Sequence, residues 1–167
     1  MKFFTEAWRS GDDETPGPER WAAYQRHLEV IARRSHAARE VVQRFGEVNL
    51  HDAVLVEVVA VADDGVLRLE LALPQSGWDW ASITIRYEGV IDPKGLLEGL
   101  RRFARGRRLE LLDDEWDLVQ DDTKLVHRAV WWGDGEAREL AVLCDRASSE
   151  SCEPVHARPE ASRFRSE

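Results

Sequence analysis

The chain predicts an α+β fold, a long N-terminal helix packed on a mostly antiparallel sheet of about six strands. Three observations carry that prediction. Residues 18–45 hold an apolar stripe at three- and four-residue steps. Residues 50–73 read as two β-rich runs about an Asp63-Asp64-Gly65 turn. The later strand-like runs follow one another through short turns, and none of those links is long enough for a parallel crossover.

The elements follow in order. Phe3, Phe4 and Trp8 precede a polar loop, SGDDETPGP, and three large aromatics at a terminus predict a segment docked on the core. In residues 18–45 the stripe is Trp21, Tyr24, Leu28, Ile31, Ser35, Ala38, Val42 and Phe45. Pro18 suits a first helical turn and Gly46 a left-handed stop. Ser35 interrupts the stripe and marks the place for a kink or break. In the first hairpin Leu67, Leu69, Leu71 and Leu73 alternate with Val66, Arg68, Glu70 and Ala72, so one face is buried. Ala81, Ile83, Ile85 and Tyr87 predict a third strand with one wet face. Leu96, Leu97, Leu100 and Phe103 have helical spacing, though Gly95 and Gly99 weaken it. Residues 109–119, 125–132 and 137–144 complete the strands, turning at Asp121-Asp122-Thr123 and Gly133-Asp134-Gly135. Residues 1–145 thus form a single domain, and the Ser-, Glu- and Pro-rich residues 146–167 predict a poorly ordered C-terminal tail.

Composition bounds the function. At 167 residues, 43% of them hydrophobic and 33% charged, the chain is of ordinary globular make-up and needs no metal or disulfide to fold. No apolar run approaches the roughly 20 residues of a membrane span, and the amino end turns acidic where a secretory signal would be apolar. A cytoplasmic location is the expectation, with Cys144 and Cys152 as free thiols. The net charge is −9, but residues 93–112 carry six basic against two acidic groups. A single basic island in an acidic body does not suit a nucleic-acid binder.

Candidate sites are few. Asp113, Asp114, Glu115 and Asp117 form the densest acidic run, without the glycine and offsets of a calcium loop. On a sheet surface with Trp78, Trp80 and Trp132, these carboxylates would suit a basic protein partner. Trp131 and Trp132 point to opposite sides of one strand, so one of them faces outward. Arg101, Arg102, Arg105, Arg107 and Arg108 form the island; they either clamp an anion or neutralise the acidic strands beside them. His51 and His127 are possible metal ligands, but His51 and Asp52, as strand neighbours, would point to opposite faces. A Cys144–His127 catalytic pair is disfavoured by the acidic Asp145 beside the thiol. No phosphate loop, nucleophile elbow or dinucleotide fingerprint occurs, and no cofactor is expected.

The opening Met1-Lys2-Phe3-Phe4-Thr5-Glu6-Ala7-Trp8, the Leu50-His51-Asp52 strand start and the Asp113-Asp114-Glu115 run before the last hairpin carry a resemblance. With them the chain resembles an uncharacterised bacterial family of small acidic proteins with an MK-aromatic-FT start and an L-H-D strand. That likeness implies no activity, cofactor or catalytic residue. By analogy alone, small acidic proteins of this build resemble immunity proteins, which neutralise toxins by binding. Three functions follow as expectations. The first is a non-enzymatic, immunity-like protein-binding module. The second is a small-ligand or anion-binding protein with a helix–sheet cavity and the arginines at its mouth. The third is a metal-dependent hydrolase.

Overall fold

The single predicted helix is two helices, because Ser35 leaves the helical backbone. In the computed structural model, which describes residues 2–45, 48, 50–74, 80–119, 122–150, 154–155 and 161–167, a short α1 (Glu6–Ser10) precedes α2 (Gly17–Arg34) and α3 (His36–Phe45). Ser35 is extended, at φ −138° and ψ 138°; its N–H still closes α2 on the Ile31 carbonyl at 3.1 Å, and its Oγ lies 3.5 Å from the Ala38 N–H that opens α3. The break re-phases the stripe. Tyr24, Leu28 and Ile31 are buried in α2, then Ala38, Val41 and Phe45 in α3, while Trp21 remains 46% exposed. Gly46, Trp78, Asp121, Cys152 and the side chain of Trp8 lie outside the described residues.

Two antiparallel meanders make the sheet. β1 (Val54–Val61), β2 (Val66–Pro74) and β3 (Trp80–Glu88) form the first, with Leu69 opposite Ile85 and Leu71 opposite Ile83, all buried. The helix α4 (Pro93–Ala104) then leads to β4 (Glu110–Val119), β5 (Lys124–Gly133) and β6 (Glu136–Cys144), the second meander. Asp92 caps α4 by accepting the Gly95 N–H at 2.8 Å. Gly95 is required there, since a Cβ would stand 2.0 Å from that carboxylate. Leu97, Leu100 and Phe103 go to the core, so the helical spacing outweighs the two glycines.

Strand order is β6-β5-β4-β1-β2-β3-β7, with β7 (Arg146–Glu150) on β3. The two ends of that row, β6 and β7, are separated in sequence only by Asp145, so the sheet must curl until its edges meet there. Asp145 N–H donates to the Glu88 carbonyl at 2.8 Å, and its carboxylate pairs with Lys124. The curl also brings Tyr87 of β3 within hydrogen-bond distance of His127 of β5, two strands that are not neighbours.

The meanders join at a short seam. β1 and β4 pair at Val54–Glu110, flanked by hydrogen bonds of Leu111 to Asp52 and Ala53, and of Leu55 to Leu109. Past the seam each strand needs a different cover. β9 (Arg163–Ser166) pairs parallel with β1 over Glu57–Ala60, the one departure from antiparallel order among the described residues, while β8 (Pro154–Val155) pairs with β3. Buried Ser162 bridges the seam: its hydroxyl donates to Leu55 O at 2.6 Å and accepts from Leu109 N at 3.1 Å. Residues 146–167, predicted as a poorly ordered tail, therefore supply three strands. Edge strands are held by backbone hydrogen bonds, so the polar composition gave no sign of them. No helix among the described residues is long and apolar enough to cross a membrane.

Candidate functional site

The edge of β4 beyond the seam is where helix and sheet meet. There the Trp116 N–H has no strand to pair with and donates to the Tyr24 hydroxyl of α2 at 2.7 Å. Along β4 the side chains then divide. Pairing sets Asp114, Trp116 and Leu118 opposite Ala129, His127 and Leu125 on one face. Asp113, Glu115 and Asp117 take the other face.

Glu115 is 2% exposed and is no part of a surface patch. Its carboxylate accepts three consecutive backbone N–H groups, from Lys2 at 2.6 Å, Phe3 at 2.5 Å and Phe4 at 2.6 Å. A buried carboxylate is tolerated when donors converge on it, and successive backbone amides make such a nest. Arg20 Nη1 donates to Phe3 O at 2.5 Å and Arg9 Nη1 to Phe4 O at 2.8 Å, so both sides of the strap are held. The aromatic start is docked as predicted, with Phe4 buried.

On the other face a hydrogen-bonded chain runs Tyr87–His127–Asp114. Tyr87 Oη lies 2.7 Å from His127 Nδ1, and His127 Nε2 lies 3.1 Å from Asp114 Oδ2. Burial above all, then the nearby Cys144 and Asp114, holds the Tyr87 hydroxyl well above its ordinary pKa, so it keeps its proton beside Nδ1. A carboxylate oxygen only accepts, so Nε2–H is the group that donates to Asp114. Trp116 stacks on His127 with centroids 4.1 Å apart and planes 3° apart, and on Phe45 at 5.4 Å. Its indole Nε1 is buried and has no acceptor among the described residues.

Asp114 and Trp116 border a cleft of about 450 Å³ between α2, α3 and β4. Phe4, Trp21, Tyr24, Phe45 and Trp116 supply its aromatic wall, with Leu28, Val41 and Leu50 among its aliphatic groups. Asp113, Asp114 and His51 supply its polar ones. Burial raises the Asp113 carboxyl above its ordinary range, although Arg9, at 3.4 Å, pulls it back. Burial, with the charge of Asp114 second, likewise raises Tyr24.

The remaining candidates fall elsewhere. Asp117 contacts His27 at 3.0 Å and Arg128 at 3.6 Å, so the acidic run is divided among internal partners instead of forming one face. Trp132 is 41% exposed and Trp131 buried, as their alternation predicted. Trp80 is half-buried at the start of β3. The arginines do not line the cleft. Arg101 pairs with Glu98, Arg105 and Arg107 with Asp134, and Arg108 with Glu110, while Arg102 is exposed. An arginine-lined pocket is thus corrected to an aromatic one. His51 and Asp52 sit in a turn where Asp52 has φ 64°, so their side chains meet at 3.1 Å instead of pointing apart. Among the described residues no group of three or more His, Cys, Asp or Glu is placed to hold a metal. Burial pushes the Cys144 thiol up to about 12, which keeps it protonated and unreactive beside His127's chain.

Sequence reasoning took Phe4, Tyr24 and Phe45 as core, which they are, and expected a helix–sheet cavity, but gave that cavity an arginine mouth instead of this aromatic wall. The available signal was Trp116 itself, a large ring interrupting an acidic run in a strand, where alternation places Asp114 beside it. Comparison of the chain with models of protein families, with curated proteins and with solved structures gives no match.

Proposed function

We propose that the protein binds a small, largely apolar molecule in the cleft between α2, α3 and β4. The observation that carries this reading is a cleft of about 450 Å³ walled by five aromatic side chains and bordered by two carboxylates. Ligand sites have this make-up: apolar walls with a few convergent polar groups. A basic protein partner is less well supported, because the carboxylates expected to meet it are engaged by His127, Arg9, His27, Arg128 and the amino-terminal strap.

The test uses Nile red, a neutral dye that brightens in apolar surroundings. Its fluorescence should rise on mixing with the folded protein. That rise should be lost in Val42→Trp, which fills the cleft from a half-buried position. A dye signal equal in both proteins, or none in either, refutes the reading.

A further inference from the structure

We infer that the cleft selects an organic cation, a quaternary or protonated amine carried on an apolar body. The inference rests on the reading of the cleft as a ligand site and names the ligand's chemistry. Phe4, Trp21 and Tyr24 stand together at one part of the wall, centroids 5.4–6.1 Å apart. Their planes are inclined at 37°, 78° and 61° to one another. Aromatic rings grouped in this way attract cations through the negative potential of their faces. Asp113 and Asp114 border the same cleft.

Each of those two carboxylates has a partner in the protein, and each partner also serves another group. Arg9 reaches Asp113 at 3.4 Å but also serves the Phe4 carbonyl at 2.8 Å. Asp114 accepts from the imidazole N–H of His127, whose other nitrogen is taken by Tyr87. Of the other titratable groups on the cleft, Tyr24 is buried, and His51, half-exposed and 3.1 Å from Asp52, also pulls Asp113 down. The raised Asp113 carboxyl is the sign of an ionised form poorly supported by its surroundings. A cation in the cleft would supply that support, and the aliphatic residues Leu28, Val41 and Leu50 would take the apolar body.

The experiment measures displacement of Nile red by three compounds of nearly one shape: benzyltrimethylammonium, its neutral carbon analogue neopentylbenzene, and the anion phenylacetate. The cation should bind at least tenfold more tightly than the neutral analogue, and the anion most weakly. Asp113→Asn should reduce the cation's advantage tenfold while leaving the neutral compound unchanged. Trp21→Leu, at a half-exposed position that spares the core, should reduce it severalfold. Equal binding of cation and neutral analogue overturns the inference but leaves the cleft reading standing, as does a preference that survives both substitutions. Failure of Nile red itself to bind removes the cleft reading and this inference with it.

Discussion

The two meanders share one topology and differ in what they bury. β1–β2–β3 turns Leu67, Leu69, Leu71, Ile83 and Ile85 inward, and the buried Tyr87 hydroxyl points to the other half. β4–β5–β6 buries Glu115 and His127 among its apolar residues and carries Asp113 and Asp114 beside the cleft. The first half is a wall that needs only volume and alternation. The second half surrounds its buried carboxylate and imidazole with partners, and it borders a large aromatic cleft. Polar burial is costly and survives where partners are built around it. The half that carries that cost is the half with chemistry to offer.

The largest effects should show whether the halves fail differently. Leu69→Ala should cost about 2–5 kcal/mol in urea unfolding, as a cavity in a packed wall. Glu115→Ala should cost about 3 kcal/mol or more, because three buried or part-buried backbone donors lose one acceptor. Hydrogen exchange separates the two. Glu115→Ala should release the Lys2, Phe3 and Phe4 amides well below the global unfolding free energy, and Leu69→Ala should not. Equal protection of those amides in both variants would show that Glu115 does not anchor the strap.

Next come single hydroxyls. Tyr87→Phe removes the donor to His127 Nδ1 and should cost about 1–2 kcal/mol. Nitrogen NMR of the imidazole should show the proton leaving Nε2 in part of the population. An unchanged tautomer would remove Tyr87 from the chain. Ser162→Ala should cost a similar amount through the Leu55 and Leu109 groups it leaves unpaired, testing whether the seam depends on the C-terminal strand.

The pH dependence of stability should follow Cys144. Its folded pKa lies at about 12 against 9.0 for the free thiol. The folded state thus holds its proton where the unfolded state has lost it, and stability falls as pH rises from about 9 toward 12. Tyr24 and Tyr87, both raised, add to the loss above about pH 10. Cys144→Ala should make the 9-to-10 part of the slope shallower; an unchanged slope would exclude the thiol as its source. The smallest effect belongs to the basic island. Arg101→Ala removes an exposed pair with Glu98 and should change stability by less than about 0.5 kcal/mol.

What the sequence determined by itself was periodicity. Alternation and three-four spacing placed the helices, the hairpins and the core leucines, because burial of one face is a local property of spacing. It also marked Ser35 as the weak point of the long helix, and set Trp131 and Trp132 on opposite sides. Tertiary structure decided everything that depends on which surfaces meet. Glu115 reads as one more surface acid until the strap arrives with three amides. Tyr24 and Phe45 read as core, and only the packing of α2 and α3 against β4 shows that they also line a cleft. The tail reads as loose until β1 and β3 offer edges for it to pair with. Each of these is a contact between segments distant in sequence. Such contacts are chosen by the geometry of the curled sheet, which no local pattern encodes.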